Sequence, residues 1–346
     1  MCALHTGRRT VTVVLAAEEQ LACAAEAARA PSVHNVQPAC WRFLGDGRVV
    51  LFRRPERAIP ASDPTGHDLG CSLGAAWEGM AIALSRVGVT LGPPDHGVVA
   101  LATLAPVAGC EPVALANLDR GAVLDPDAPH VLTRRSGRAI FAASPDDLAA
   151  RLAGLAHEDT RTITDRVVIA RVAVWHDLAT VRVMRQREQV DELRRWLRLS
   201  RDHPAWDRDG LTADAMALGT AERLAARVLL RWPALRLLRL IGADALLVSE
   251  APQVRSAAAL VAFTPAASQP PFERGRRFYR RWLALERAGL TACPMSATTD
   301  DPLEREKLRG ALALEPTRAL AGLWRVGRAR TTPSRSPRLP AAELLA

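Results

Sequence analysis

The chain has 346 residues, 49% of them apolar and 24% charged, with a formal net charge of +9. That length accommodates two domains of ordinary size, and the composition is that of a folded protein, which excludes a disordered chain. The positive charge is almost all arginine, since Lys307 is the only lysine; the arginines are scattered rather than interleaved with aromatics, which speaks against a nucleic-acid partner.

Residues 17–29 start acidic (Glu18, Glu19) and continue with helical spacing, which predicts an amphipathic helix. A polar turn over 30–38 follows. Residues 41–44 and 48–52 flank Gly45-Asp46-Gly47 and predict a β-hairpin. Asp63-Pro64-Thr65-Gly66 opens an apolar helix expected over 67–87, with strands at 97–104 and 112–118. Gly121, Asp125-Pro126-Asp127 and Pro129 mark 119–131 as a linker, dividing the chain into domains of residues 1–122 and 123–346.

Past the linker the order begins again. Ser144-Pro145 starts a helix running to about residue 156, and the β-branched stretch 166–174 predicts a strand. Helices are expected at 176–199, 212–229 and 233–243, a long one over 272–288 closed by Gly289, and a last strand over 318–326. The pattern is that of an α+β protein of two tandem, loosely duplicated domains.

The cysteines (Cys2, Cys23, Cys40, Cys71, Cys110, Cys293) lie far apart without metal-ligand spacing, as expected of free thiols in a reducing cytoplasm and of no metal site. Glu18 and Glu19 interrupt the apolar run after Arg8-Arg9 too early for a secretory signal, and no apolar run reaches membrane-spanning length. A cytoplasmic protein without a membrane partner is expected.

Two segments carry more chemistry than connections need. The first is the turn Ala30-Pro31-Ser32-Val33-His34-Asn35-Val36-Gln37-Pro38, where Pro31 fixes φ and Ser32, His34, Asn35 and Gln37 offer hydrogen-bonding side chains. The second is Thr133-Arg134-Arg135-Ser136-Gly137-Arg138, whose guanidinium forks, hydroxyl and glycine suit a phosphate.

The turn resembles the P-S-x-x-N-x-Q-P motif of the nitroreductase family, and Arg134, Arg135, Ser136, Arg138 and Phe141 resemble that family's R-R-S-x-R-x-F phosphate motif. Residues 275–296, with Pro294-Met295-Ser296, are similar to its core helix and following loop, and Ser336-Pro337-Arg338 to its tail. Within that family the chain resembles the fused, two-domain Acg-like branch of actinobacteria, through the turn, Asp63-Pro64-Thr65-Gly66 and Cys293-Pro294-Met295-Ser296. The resemblance implies a nitroreductase-like fold whose tandem domains form a pseudo-dimer around mixed or antiparallel sheets, a monomer with an internal twofold.

It also implies bound FMN with NAD(P)H as transient electron donor, reducing nitro compounds, quinones or a related small-molecule acceptor. Pro31, Ser32, His34, Asn35 and Gln37 would lie at the flavin ring. Arg134, Arg135, Ser136, Arg138 and Arg338 would hold the phosphate, although Ser336 replaces the usual lysine. The backbone N–H groups of Met295, Ser296 and Ala297 would face flavin N5, with Pro294 also at the cofactor, and Arg194, Arg195 or Arg198 would supply a cation near N1. No catalytic side chain is assigned. Only the first domain has the turn and only the second the complete arginine motif, with Arg8-Arg9-Thr10 as a remnant, so a single complete site is expected. Residues 200–211 are a candidate lid, which would make the protein a flavin-holding one; a specialised biosynthetic flavin oxidase or dehydrogenase is the remaining alternative. The two residues inserted in Gln37-Pro38-Ala39-Cys40-Trp41 depart from the family's Q-P-W-R.

Overall fold

The computed structural model describes residues 12–144, 146–244 and 249–346. Arg8-Arg9-Thr10, Cys2 and Pro145 therefore lie outside the described residues. The first half contains α1 (Ala17–Ala27), β1 (Ala39–Phe43), β2 (Arg48–Arg53), α2 (His67–Ser85), β3 (Val89–Leu91), α3 (Val98–Ala102) and β4 (Glu111–Arg120). Next come α4 (Ala128–Thr133), α5 (Leu148–Ala153), β5 (Thr160–Ile163), α6 (Arg166–Met184), α7 (Arg187–Trp196), β6 (Leu197–Arg198) and β7 (Leu211–Thr212). Then follow α8 (Thr220–Leu229), α9 (Trp232–Leu240), α10 (Ala251–Arg255), β8 (Ala259–Phe263), α11 (Pro271–Arg287), β9 (Thr291–Pro294), α12 (Ser296–Asp300), α13 (Pro302–Ala311) and β10 (Gly322–Gly327).

The strands make two four-stranded antiparallel sheets, ordered β1-β2-β4-β3 and β5-β8-β10-β9, each drawn from one half of the chain. The α+β class is as expected. A parallel pair, β6 with β7, closes the loop between them. Among the described residues no helix is long and apolar enough to cross a membrane.

Several elements depart from the sequence pattern. The valine-rich stretch 166–174 is the start of helix α6, not a strand. Asp165 caps it by accepting from the Val167 and Val168 N–H groups at 2.7 and 3.2 Å, and the buried positions Ile169, Val172, Ala173, His176 and Ala179 follow helical spacing. The expected strand at 97–104 is α3, with Val98 and Val99 exposed; the expected helix 176–199 is divided between α6 and α7 and ends in β6. Strands β5, β8 and β9 were not anticipated. Residues 119–120 extend β4 and 128–131 belong to α4, which shortens the irregular stretch between them to 121–127.

The two halves meet through α2 and α11, which cross at glycines. A Cβ added at Gly74 would overlap the Phe272 carbonyl, and one at Gly275 the Cys71 carbonyl. Around this crossing Glu78 accepts from Arg276 and Arg280 at 2.8 and 2.7 Å, and Asp127 from Arg287 at 2.6 Å. Because backbone rather than a flexible side chain blocks the space, Gly275→Ala is expected to destabilise the protein by about 3 kcal/mol or more. Thermal unfolding measures this, and an unchanged Tm would contradict the crossing.

The tail returns to the first half. Ala341–Leu344 forms a short helical turn against α1 and β1, and the Ala346 N–H donates to the Trp41 carbonyl at 2.7 Å. This return brings Arg338 to the turn after α1.

Candidate functional site

In the turn after α1, His34, Asn35 and Gln37 have φ of 48°, 57° and 53°. Left-handed backbone at residues with side chains costs on the order of 1–3 kcal/mol each and gathers at sites that a surrounding structure holds in place. The Ser32 hydroxyl supports the turn by accepting the Gln37 N–H at 3.0 Å. Pro31 precedes it at the end of the α1 connection.

The two amide side chains hold three distant segments together. Asn35 Oδ1 accepts from Arg338 at 2.8 Å, while Nδ2 donates to the carbonyls of Gly210 and Pro337 at 3.1 and 3.0 Å. Gln37 Nε2 donates to the Arg208 carbonyl at 2.9 Å, and its Oε1 accepts the Leu339 N–H at 2.9 Å. Segment 208–210 is anchored in turn by Asp209, which receives Arg198 at 2.6 Å and Arg57 at 3.2 Å with all three side chains largely buried.

Arg134 and Arg338, far apart in sequence, converge on one acceptor, donating to the Arg29 carbonyl at 2.7 and 3.2 Å. The Arg134 guanidinium lies 4.3 Å from the Trp282 ring centre and 5.7 Å from that of Tyr279, a cation–π stack that orients it. Arg135 and Arg335 both donate to the Leu132 carbonyl, each at 2.9 Å.

Among the described residues, Arg134, Arg135, Arg335 and Arg338 donate to carbonyls or an amide oxygen rather than to carboxylates. Burial, then the charges of Arg134 and Arg29, push the Arg338 guanidinium down to about 9; burial, then Arg335 and Arg134, push Arg135 down to about 10. The Nε atoms of Arg134 and Arg338 are buried without a hydrogen-bond partner. Clustered guanidinium groups that repel one another, hydrogen-bond no carboxylate and keep unused donors fit a bound phosphate, whose charge and oxygens supply what is lacking. A cavity of about 450 Å³ opens beside them, lined by the cations Arg29, Arg335 and Arg338, by the acids Asp207 and Asp214, and by Trp206.

Ser136 pairs with Ala292, and the Gly137 N–H donates to the Ala292 carbonyl at 3.0 Å, so the arginine segment runs beside β9 toward Pro294. Phe141 lies beneath the Arg325 guanidinium, 4.8 Å from ring centre to cation. Arg138 acts on both sides of the site. Burial, then its charge, holds the His34 imidazole down to about 4, with Glu192 opposing, so His34 is neutral at ordinary pH. Against the cost of burial, the His176 hydrogen bond and the charges of His176, Arg138 and Arg325 hold the Glu250 carboxyl down to about 2.

Three of the expected site groups have partners within the chain. The Met295 N–H donates to the Leu323 carbonyl at 2.8 Å and so serves the sheet. Arg198 is committed to Asp209 at 2.6 Å, and Arg194, half-exposed, approaches Asp191 at 3.7 Å. Asn35 is engaged by the tail and by segment 208–210, with both amide hydrogens used. Arg29, Arg335, Tyr279 and Trp282 were not singled out from sequence. Only the position of Arg29 beside the turn and of Arg335 beside Arg338 could have signalled the first two.

The geometry defines an α+β protein with a cationic, phosphate-fitting site assembled from both halves of the chain. No family model matches the chain. It is similar to a Mycobacterium tuberculosis protein named "Putative NAD(P)H nitroreductase acg", 34% identical over 149 residues that cover 39% of this chain and 38% of the relative. A second protein of that organism, also named a putative NAD(P)H nitroreductase, is 40% identical over 62 residues, 18% of each chain. The matched stretches thus span well under half of either relative. Among solved structures it aligns with the FMN-dependent nitroreductase NfnB of Mycobacterium smegmatis in complex with NADPH, at 17% identity, 63% of this chain, 96% of that one and a TM-score of 0.35. A putative nitroreductase from Anabaena variabilis aligns at 10% identity over 92% of this chain and 90% of that one, with a TM-score of 0.39. Superpositions at these scores carry no weight on fold, which rests on the sheets described above.

Proposed function

We propose that the chain is an FMN-dependent oxidoreductase of the nitroreductase type, acting in the cytoplasm as a monomer whose halves, 1–122 and 123–346, form an internal pseudo-dimer with one flavin site. One observation carries the reading: Arg134 from the second half and Arg338 from the tail meet on the Arg29 carbonyl, beside the strained turn of the first half. Arg134 and Arg338 hold the phosphate, with Arg29, Arg135 and Arg335 adding field around it and Ser136 a hydroxyl. Bound flavin supplies two-electron chemistry between NAD(P)H and a small acceptor such as a nitro compound or quinone. Arg138 keeps the ring end of the site cationic, which favours negative charge there. Neutral His34 contributes hydrogen bonds rather than charge. With the Met295 N–H engaged in the sheet, the amides of Ser296 and Ala297 are the remaining donors of that loop.

A second reading is favoured by segment 208–210, which lies on the turn and bonds Asn35 and Gln37. It makes the protein a flavin-holding one with little turnover. Anaerobic visible spectra separate the two: yellow protein bleached by NADPH or NADH supports the reductase, and yellow protein unchanged by either supports the closed site. A colourless protein that takes up no FMN would overturn both.

A further inference from the structure

Helices α8 and α9 are joined by only Leu230 and Arg231 and pack on each other, while α9 also packs on α7. Their outer faces are apolar. Leu224 and Val228 on α8 are 64% and 51% exposed, and Leu237, Leu240 and Ile241 at the end of α9 are 63%, 82% and 70% exposed. The spacing is i, i+4 on the first helix and i, i+3, i+4 on the second, so each set forms a stripe along one side of its helix.

Charge runs beside these stripes with one sign. Residues 220–243 contain five arginines and a single acid, Glu222. Glu222 is occupied at the helix start, accepting the Gly219 N–H at 2.7 Å, and Arg223 is paired with Asp214. Arg227, Arg231, Arg236 and Arg239 are exposed. Each follows or precedes an exposed leucine or valine by one position, or caps the connection between the helices. Trp232, half-buried, opens α9.

We propose that this helix pair is a docking surface for an anionic phospholipid bilayer, with the leucine, valine and isoleucine side chains entering the acyl boundary and the arginines lying among the headgroups. A large amphipathic moment, an arginine-rich polar border and aliphatic residues on the outer side are what a helix lying in a membrane interface requires. A second copy of this chain fits poorly, because self-pairing would set arginines against arginines. A protein partner fits less well too, since the cores of such interfaces concentrate aromatics, whereas the exposed apolar side chains here are all aliphatic. A helix pair lying on the surface needs no spanning helix.

The test is flotation of the full chain with vesicles of phosphatidylcholine containing one-third phosphatidylglycerol, against vesicles of phosphatidylcholine alone. Partition at least tenfold stronger onto the anionic vesicles is expected, falling at least tenfold at high salt. It should fall similarly in Leu237→Ser/Leu240→Ser and in Arg236→Gln/Arg239→Gln, with far-UV circular dichroism confirming that both variants are folded. Equal or absent partition onto the two vesicle types overturns the proposal, as does wild-type partition by the variants. Light scattering that shows a dimer which the leucine variant dissociates, without vesicle binding, assigns the surface to a second copy and overturns it as well.

Discussion

Arg338→Met protein is expected to bind FMN about a hundredfold more weakly than wild type. The guanidinium stands among Arg29, Arg134 and Arg135 and hydrogen-bonds only carbonyls and an amide oxygen, and a charge-assisted bond from such a group to phosphate is worth about 3 kcal/mol, or two orders of magnitude. The variant also loses donors to Asn35 Oδ1 and to the Arg29 and Pro337 carbonyls. Relief of repulsion from Arg134 and Arg29 opposes that loss, so the apo protein should unfold near the wild-type temperature. Arg335→Gln is the internal comparison. Arg335 is exposed, and its field is screened, so that variant should weaken binding by no more than about 1 kcal/mol. Fluorescence titration with FMN measures both, and equal effects of the two substitutions would contradict the assignment of Arg338 to the phosphate.

The second large effect is expected at Asp209. Its carboxylate is the shared partner of Arg198 and Arg57, all largely buried, and segment 208–210 holds Asn35 and Gln37 through its carbonyls. Asp209→Asn leaves two buried guanidinium groups facing a neutral amide, a loss of about 3–5 kcal/mol localised where β6 and β7 close the loop. Hydrogen exchange over residues 199–212 should accelerate by orders of magnitude, and FMN should dissociate at least tenfold faster. If the closed-site reading holds, NADPH oxidation with an added quinone should rise as the segment loosens. Unchanged exchange in this segment would show that the ion pair does not hold it.

Much of the site was legible in sequence because its chemistry is local. A turn with Ser32, Asn35 and Gln37 between two apolar elements, and three arginines around Gly137, stand out whatever the fold. What could not be read is the company they keep. Arg29 and Arg335 are two arginines among many in this chain; the packing of the two halves brings Arg29 to Arg134, and the return of the tail brings Arg335 to the same place. The amides of Asn35 and Gln37 look free in sequence, yet the tail and segment 208–210 use them, because a polar turn buried between two halves must find partners.

Helix α6 shows a different kind of failure. Val167, Val168, Val172 and Val174 suggest a strand by propensity, but burial of one face at helical spacing and the Asp165 cap decide the outcome. Similarly, β8 is five buried residues, Ala259–Phe263, with neither alternation nor a turn signal strong enough to set it apart from a buried helix segment.

The central claim is that FMN is held by its phosphate on the Arg134–Arg338 cluster, and comparison of FMN with riboflavin tests it most directly. The two share the ring and the ribityl chain and differ only in the phosphate. Isothermal titration of the apo protein should show FMN binding at least a hundredfold more tightly than riboflavin, with the difference shrinking as salt is raised. Equal affinities for the two would contradict it.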